Sequence, residues 1–298
     1  MIVVTGAAGF IGSNIVADLE EKEIIVSDWL GNGNKWRNLV KRKNIRGLVS
    51  PECLLDYIDT THNSITAVIH MGAISSTAEA DVDKLLEWNT AYSVNLWKCC
   101  NRYGIPFIYA SSAAIYGASL NFNEDQDSVP LNPYGWSKNL VDQAILTAAE
   151  KDKSQFVGLR FFNVYGPNEY HKGSQGSMVF QAYGKGPIGL FNGDPQRDFI
   201  YVKDCCRIIR GLLNNPGISG IFNIGTGIAR PFDDIAIILG TDMYFFDMPE
   251  KMRSQYQNFT KADTKKIEAA GLWFKPTSLE KGIKDYVDNY LSRKDQYR

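Results

Sequence analysis

Short apolar, β-branched runs alternate along the chain with longer segments in which apolar positions follow helical spacing. The apolar runs are strand candidates, found at 1–5 (MIVVT), 23–28 (EIIVSD), 67–72 (AVIHMG), 105–112 (IPFIYASS) and 155–166 (QFVGLRFFNVYG). Helical spacing is found at 10–20, 79–103 and 134–150. Continuous apolar strands that alternate with helices are typical of a parallel sheet covered on both faces, so this part predicts a doubly wound α/β fold.

The pattern changes after about residue 165, where Gly, Pro and Asn become frequent. The predicted elements are then shorter, with strands at 197–202 and 220–227 and helices at 203–214, 231–239 and 278–292. Because no flexible linker separates the two parts, we expect them to interleave. We therefore predict a main domain over 1–165 and a smaller α/β lobe over 166–298.

Composition and charge narrow the class of protein. Of 298 residues, 44% are hydrophobic and 22% are charged, as in ordinary globular domains with a core. A net charge of −1 favours neither nucleic acid nor an anionic membrane as partner, and every apolar run is shorter than the roughly 18 residues of a membrane span. Four of the five cysteines form adjacent pairs whose spacing matches no zinc site. We expect reduced thiols in a cytoplasmic protein without a metal site.

A glycine-rich turn joins the first predicted strand to the first predicted helix. The stretch TGAAGFIG places Gly6, Gly9 and Gly12 there, and it lacks the basic start of a targeting segment. This spacing lets the backbone approach a pyrophosphate at the helix N-terminus. Ordinary tight turns also use glycine, but Asp28 ends the next strand, where an acidic residue binds an adenosine ribose. Together these features predict a dinucleotide site.

The sequence leaves the choice between NAD and NADP open. Asp28 favours the free 2′-hydroxyl of NAD, whereas Lys35 and Arg37 follow closely and could meet the 2′-phosphate of NADP. The alternative for both cations is a solvated position in a loop.

Tyr134 and Lys138 lie four residues apart at the start of a predicted helix, on one face. A free tyrosine has a pKa of about 10, and an ammonium at about 4 Å offers roughly 4 kcal/mol to the phenolate, enough to lower that pKa by 2–3 units. Ser112 ends the preceding strand and is the candidate to bind the substrate oxygen. Taken singly, Ser112 could cap a strand end and Tyr134 could simply be packed. With the glycine turn upstream, the set predicts an oxidoreductive site.

The chain resembles the extended short-chain dehydrogenase/reductase family. The resemblance covers nearly its whole length, through TGAAGFIGSN, VIHMGA, YASSAAIYG, NPYGWSK, RFFNVYGP, RDFIYVKD and FNIGTG. It implies a Rossmann-type fold, tightly bound NADP or NAD in the first domain, and a nucleotide-linked sugar in the second lobe. Dehydratases of this family carry Asp-Glu after the hydroxyl residue, where this chain has Ala113 and Ala114. The resemblance therefore favours an epimerase.

Within that family, four stretches are similar to the ADP-L-glycero-D-manno-heptose 6-epimerases: MGAISST, YASSAAIYG, NVYGPNEYHKGSQGSMVF and SQYQNFTKAD. The similarity implies transient oxidation of an ADP-heptose at C6, for lipopolysaccharide core or related glycans. The ketone must turn before hydride returns to its other face, so each orientation needs its own proton partner. The resemblance gives that second role to Lys172; the alternative is a solvated loop lysine.

The same resemblance implies residues for both ligands. Those for the cofactor are Gly6, Gly9, Phe10, Ile11, Gly12, Asp28, Trp29, Lys35, Met71, Gly72, Ala73, Ile74, Ser75, Asn89, Lys138, Val164 and Lys172. Those for the substrate are Ser112, Asn163, Ser174, Gln181, Phe191, Asn192, Gly193, Asp194, Arg197 and Tyr256. Arg197, with its charge and planar fork, is the expected diphosphate clamp.

This sequence departs from the epimerase pattern at three positions. Trp29 replaces an asparagine, Pro51 replaces a lysine of the cofactor site, and Gln181 replaces a histidine, while segment 36–63 matches least. Two other functions remain open: a different nucleotide-sugar epimerase, such as a UDP-hexose 4-epimerase, and a cofactor-binding regulator without activity. The resemblance also implies a homo-oligomer, specifically a pentamer.

Overall fold

The structure, a computed structural model, describes residues 1–148 and 154–298, so the end of the helix predicted at 134–150 lies outside the described residues. The strands are β1 (Ile2–Thr5), β2 (Ile24–Ser27), β3 (Ile45–Val49), β4 (Ala67–His70), β5 (Phe107–Ser112), β6 (Phe156–Phe161), β7 (Asn163–Tyr165), β8 (Ile188–Phe191), β9 (Gln196–Tyr201), β10 (Gly220–Ile224), β11 (Ala229–Pro231) and β12 (Met243–Phe246). The α-helices are α1 (Phe10–Asp18), α2 (Leu54–Thr61), α3 (Val82–Leu85), α4 (Tyr92–Arg102), α5 (Pro133–Ala148), α6 (Met178–Ala182), α7 (Val202–Leu213), α8 (Asp233–Leu239), α9 (Glu250–Arg253), α10 (Lys265–Ala269) and α11 (Leu279–Tyr286).

Parallel strands form the main sheet in the order β10-β6-β5-β4-β1-β2-β3. The strand order reverses between β1 and β4, and in open α/β sheets ligands bind at such a switch point. Two smaller sheets, β11-β9-β7 and β12-β8, complete the described part of the chain. The predicted doubly wound α/β fold with a smaller lobe is confirmed.

Helices cover the main sheet on both faces. On one face, α1 and α7 pack over residues such as Val4, Ile69 and Ile224. On the other, α2, α4 and α5 pack over residues such as Val3 and Phe107. Both faces of the sheet are therefore buried. This explains why successive residues of the strands are apolar, rather than every second residue.

Two strands of the main sheet were not assigned correctly from the sequence. β3 lies within segment 36–63, where no strand was predicted, and its sequence IRGLV alternates at the sheet edge with Leu48 half-exposed. The single run predicted at 155–166 divides at Phe162, so that β6 enters the main sheet and β7 pairs with β9. The backbone N–H of Phe162 donates to the carbonyl of Ile224 at this break.

Elements from beyond residue 165 contribute to the main sheet. β10 pairs with β6 as its outer strand, and α7 packs against α1. The division at residue 165 stays a prediction, and the two parts share one sheet.

The cysteines occupy both helical layers as free thiols. Cys99 and Cys100 lie buried on α4, Cys205 and Cys206 lie buried on α7, and Cys53 is exposed. Within residues 1–148 and 154–298, no helix combines the length and apolarity needed to cross a membrane.

Candidate active site

The glycine turn after β1 is closely packed against the loop that follows β4. Gly6 has a φ of 59°, and a Cβ there would lie 2.6 Å from the backbone nitrogen of Gly72. A Cβ on Gly12 would lie 2.2 Å from the carbonyl oxygen of Gly6. Only glycine fits these two positions. The turn therefore presents bare backbone at the N-terminus of α1, which is the geometry that accepts a pyrophosphate.

A cavity of about 400 Å³ opens at this switch point. Its lining includes most of the predicted cofactor residues: Gly6, Gly9, Phe10, Ile11, Gly12, Asp28, Trp29, Lys35, Met71, Gly72, Ala73, Ile74, Ser75 and Lys172. Further lining residues were not assigned to this site from the sequence: Thr5, Ser27, Trp88, Tyr92, His171 and Gln175. Pro51, which occupies a lysine position of the cofactor site in the family pattern, also lines the cavity. Three predicted cofactor residues, Asn89, Lys138 and Val164, lie outside the described lining.

Asp28 occupies the end of β2, where an adenosine ribose binds in this fold. Its carboxylate accepts a 2.8 Å hydrogen bond from the backbone N–H of Ala8 and contacts the ammonium of Lys35 at 2.5 Å. Lys35 also donates to the carbonyl of Trp29 at 3.1 Å. Arg37, the other predicted cation, places its guanidinium 5.7 Å from the ring of Trp36 and lies outside the described lining.

An aromatic corner borders the same cavity. The rings of Trp29 and Trp88 meet edge-on with centroids 4.4 Å apart, and Tyr92 lies 5.7 Å beyond Trp88. Trp29 donates to the carboxylate of Glu52 at 2.7 Å, and Tyr92 donates to the carbonyl of Pro51 at 3.0 Å. The corner therefore presents apolar aromatic surface in the same cavity as Asp28, and a flat nucleotide base can pack against such a surface.

Sequence reasoning missed Trp88 because the helix is irregular there. Leu86–Ala91 forms a π-helical turn between α3 and α4, and π-helical turns are frequent at functional sites. Asn89 lies in the same turn, where it accepts from the backbone N–H of Ile74 at 2.8 Å and donates to its carbonyl at 3.0 Å. Asn89 thus holds the 71–75 loop from behind the cavity wall.

A buried imidazole supports this loop from below. Within a chain of short hydrogen bonds, His70 joins Thr5 Oγ1 at 2.6 Å to Ser93 Oγ at 2.8 Å, and Thr5 Oγ1 accepts from the N–H of Gly72 at 3.0 Å. Burial, with a smaller contribution from the charge of Lys138, lowers the pKa of His70 to about 3. The ring is therefore neutral and structural near neutral pH.

The predicted proton-transfer residues lie at the end of β5 and the start of α5. Burial raises the pKa of Tyr134 above its usual value, and a hydrogen bond with Ser112 partly opposes that shift. Ser112 also accepts from the N–H of Ala114 at 3.1 Å. In the protein alone, Tyr134 is therefore a protonated phenol, rather than the phenolate that the spacing to Lys138 suggested.

Lys138 is buried and donates to the carbonyl of Ala110 at 2.9 Å. Burial lowers its pKa to about 8, and the charge of Asp142 acts in the opposite direction. Asp142, one turn further along α5, accepts from Tyr109, Ser111 and Arg160 at 2.9–3.0 Å. The ammonium thus has a fixed position at the strand end, with its charge supported by a buried carboxylate.

Lys172 belongs to a short 3₁₀ segment, Tyr170–Gln175, and lines the 400 Å³ cavity. Its backbone N–H donates to the carbonyl of Glu169 at 2.9 Å, and its ammonium lies 5.7 Å from the centre of the Phe10 ring. Burial lowers the pKa of Lys172, and the charge of Glu169 opposes that shift. The side chain therefore differs from a solvated loop lysine in its position and in the direction of its pKa shift.

A second cavity of about 370 Å³ lies at the ends of β5 and β6. Ser112, Asn163, Arg197 and Tyr256 line it. Arg197 is buried, its guanidinium lies 4.9 Å from the Tyr256 ring, and burial lowers its pKa. A buried guanidinium in a cavity is suited to bind a diphosphate.

The other predicted substrate residues divide into two groups. Phe191 and Asp194 line a third, apolar cavity of about 160 Å³, which also includes Tyr256. The remaining residues, Ser174, Gln181, Asn192 and Gly193, lie outside the described cavity linings. Gln181 donates to the carbonyls of Ser174 at 2.9 Å and Gly176 at 2.7 Å, so it braces the segment after Lys172.

Comparisons with known proteins agree with this geometry. The model of a family described as NAD dependent epimerase/dehydratase matches residues 2–225. Proteins named ADP-L-glycero-D-manno-heptose-6-epimerase from Nitratidesulfovibrio vulgaris and Fusobacterium nucleatum are 42% and 40% identical to this chain, and each match covers 100% of both chains.

Two solved structures of similar fold are epimerases that act on different sugar nucleotides. The ADP-L-glycero-D-manno-heptose-6-epimerase of Helicobacter pylori has a TM-score of 0.82 at 28% identity, over 97% of this chain and 95% of that one. The UDP-glucose 4-epimerase of Thermus thermophilus, in complex with NAD, has a TM-score of 0.81 at 28% identity, over 96% and 97%.

Proposed function

This chain belongs to the NAD-dependent epimerase/dehydratase family, and from that premise we propose that it is an isomerase which interconverts the two C6 epimers of ADP-glycero-D-manno-heptose. Two observations support this assignment. Relatives that carry the name are 40–42% identical over the full length. Lys172 lines the 400 Å³ cavity, and epimerisation at a rotating carbinol needs a second proton-transfer group. The Lys172 position is the single observation that carries the proposal.

The cavity at the switch point fits a nicotinamide dinucleotide. A Cβ on Gly12 would collide with the backbone of Gly6, so the turn needs glycine there. The backbone N–H of Ala8 holds the Asp28 carboxylate at the end of β2, the ribose position. When bound, this cofactor accepts a hydride from the sugar and returns it. We propose that the glycine turn binds its pyrophosphate, that Asp28 and Lys35 bind the adenosine ribose, and that the Trp29–Trp88 corner contacts the adenine.

Burial shifts the pKa values of Tyr134 and Lys172 in opposite directions. Tyr134 is a protonated phenol because burial raises its pKa, whereas burial lowers the pKa of the Lys172 amine. We propose that Lys172 takes the proton of the C6 hydroxyl as hydride leaves C6, which produces a ketone. The ketone turns, and Tyr134 supplies the proton when hydride returns to the other face. In the reverse reaction the two residues exchange roles.

The remaining residues bind and orient the sugar nucleotide. Ser112 is proposed to hydrogen-bond the reacting oxygen, because it contacts Tyr134 and lines the second cavity. Arg197 is proposed to bind the diphosphate. Ala113 and Ala114 also line this cavity, where an acid would be needed to eliminate water, so epimerisation is favoured over dehydration.

The main alternative is a 4-epimerase of UDP-hexoses. The fold does not discriminate, since the two solved epimerases have TM-scores of 0.82 and 0.81. A 4-epimerase turns the whole sugar ring and does not need an amine at position 172. The position of Lys172 therefore favours the C6 reaction. We also propose a cytoplasmic homo-oligomer, specifically a pentamer, which sedimentation velocity would test.

The activity can be tested directly. The purified protein is incubated with ADP-D-glycero-D-manno-heptose or UDP-glucose without added oxidant, and the sugar stereochemistry is followed by NMR. We expect inversion at C6 of the heptose and an unchanged UDP-glucose. Tyr134→Phe is the matched inactive control. Conversion of UDP-glucose to its C4 epimer, with the heptose unchanged, would reject the proposal in favour of the alternative.

A further inference from the structure

The 3₁₀ segment that carries Lys172 begins from a turn that three other parts of the chain hold. Asn168 in this turn is fully buried and has a φ of 72°. Its side-chain amide donates to Ser13 Oγ on α1 at 3.1 Å, and its backbone carbonyl accepts from Asn38 at 3.0 Å. The third partner is distant in sequence: the backbone N–H of Arg298 donates to Asn168 Oδ1 at 2.9 Å.

Residues 295–298, which we name the strap, pack against the main domain and contact this turn. The guanidinium of Arg298 donates to Asn14 Oδ1 at 3.1 Å and approaches Asp18 at 3.4 Å, both on α1. The carbonyl of Arg298 accepts from Arg42 at 3.0 Å. The strap is therefore anchored to the same helix whose N-terminus faces the cofactor cavity.

The strap also contacts the Lys172 segment itself. The hydroxyl of Tyr170 donates to the carbonyl of Gln296 at 2.6 Å, and its ring meets Tyr297 edge-on with centroids 5.3 Å apart. Tyr170 lies two residues before Lys172. A shift of the strap would therefore shift the backbone that orients the amine.

The segment has little stability of its own. Tyr170–Gln175 is a 3₁₀ helix interrupted by Gly173 at a φ of 55°, and 3₁₀ helices have poorer hydrogen bonds than α-helices. At its far end, Gln175 donates to Ser76 at 3.1 Å and the carbonyl of Ser174 accepts from Gln181 at 2.9 Å. The position of the Lys172 amine thus depends on contacts at the two ends, of which the strap side is more extensive.

We propose that Tyr170, Asn168 and Arg298 are positioning residues, through which the strap fixes the amine of Lys172 for proton transfer. The proposal rests on the proposed function, since it assumes that Lys172 serves one orientation of the C6 oxygen and Tyr134 the other. Loss of the strap contacts should therefore impair only the half-reaction that passes through Lys172. A residue that merely stabilises the fold would affect both half-reactions.

The two half-reactions can be separated with the two C6 epimers. Each epimer is mixed rapidly with the protein loaded with its nicotinamide cofactor, and cofactor reduction is followed at 340 nm. For Tyr170→Phe and Arg298→Ala, we expect reduction to slow about tenfold or more with one epimer and less than about twofold with the other. Misplacement of a reacting group by about 1 Å can cost about 100-fold in rate. Lys172→Ala should slow reduction with the same epimer.

Controls separate the possible outcomes. Arg293→Ala removes an arginine whose side chain donates to the carbonyl of Asp288, and it should leave both rates unchanged. Tyr170→Phe keeps the aromatic ring and removes only the hydroxyl group, so it still tests the proposal if Arg298→Ala folds poorly. If the strap variants slow cofactor reduction equally with both epimers, while Lys172→Ala slows it with only one, the strap proposal alone is overturned. If Lys172→Ala itself shows no asymmetry, the two-residue mechanism fails and the strap proposal fails with it.

Discussion

The ammonium of Lys35 lies 2.5 Å from the carboxylate of Asp28, so the two residues that favour different cofactors form an ion pair. The Asp28 side chain is only 6% exposed, and its other oxygen accepts from Ala8. A bound ribose therefore meets a paired carboxylate rather than a bare one. At the proposed ribose site, Lys35 therefore offsets the charge of the Asp28 carboxylate.

This pairing predicts a selective effect of Lys35→Ala. Without the ammonium, the Asp28 carboxylate stays and repels a 2′-phosphate, whereas it still accepts a hydrogen bond from a 2′-hydroxyl. We expect the affinity for NADP to fall about tenfold more than that for NAD, which is about 1.4 kcal/mol. Quenching of tryptophan fluorescence should report binding, because Trp29 lines the cavity.

Arg37→Ala is the matched control, since Arg37 lies nearby but outside the described lining of the cavity. Equal losses of NAD and NADP affinity in Lys35→Ala would show that Lys35 does not contact the 2′-position.

Lys172→Ala should lose turnover while keeping its cofactor. Removal of a general acid or base typically costs about 10²–10⁴ in rate, and the glycine turn and Asp28 are untouched by this change. We therefore expect turnover to slow by about 100-fold or more, while the cofactor still binds. Steady-state epimerisation by NMR and cofactor titration check the two parts.

Lys185→Ala is a suitable comparison, because Lys185 belongs to the same lobe and its ammonium lies 4.6 Å from the Phe180 ring. It should retain turnover. Near-normal activity of Lys172→Ala would remove the amine from the mechanism.

Local patterns in the sequence predicted six of the seven strands of the main sheet and the glycine turn after β1, for physical reasons. The steric demand on Gly12 is local, because a Cβ there would meet Gly6, and Asp28 follows an apolar strand, so short stretches carry this information. β3 was missed because an edge strand with one exposed face lacks the continuous apolar run of a buried strand.

Features that depend on distant contacts were not visible in the sequence. Trp88 reaches the cavity through a π-helical turn, which has no clear sequence signature. The spacing of Tyr134 and Lys138 suggested a lowered tyrosine pKa, yet Lys138 donates to Ala110 and burial dominates at Tyr134. Burial is a property of the packed structure, so spacing alone gave the wrong sign for the protein without its cofactor.

The pKa of Lys138 predicts a pH dependence of turnover. The pKa lies near 8 because burial lowers it and Asp142 partly restores it, so the ammonium is lost as the pH rises above about 8. If the positive charge assists Tyr134, the turnover rate should fall on that alkaline side. Asp142→Asn removes the carboxylate that raises the pKa, so the falling limb should move to lower pH. A pH profile of the turnover rate checks this, and a limb that stays in place or moves upward would contradict it.

His70 predicts acid sensitivity of the fold. The pKa of His70 is about 3 in the folded protein and near 6.5 when the imidazole is exposed. At pH values between these two, the unfolded chain therefore binds one more proton at His70 than the folded protein does. The free energy of unfolding should therefore fall as the pH decreases below about 6.5, by up to about 1.4 kcal/mol per pH unit from this group. His70→Gln does not titrate and should show a shallower slope in urea unfolding between about pH 4.5 and 6.5. Parallel slopes for the wild type and His70→Gln would mean that the buried imidazole keeps its proton in the folded state, and that its contacts with Thr5 and Ser93 involve a cation.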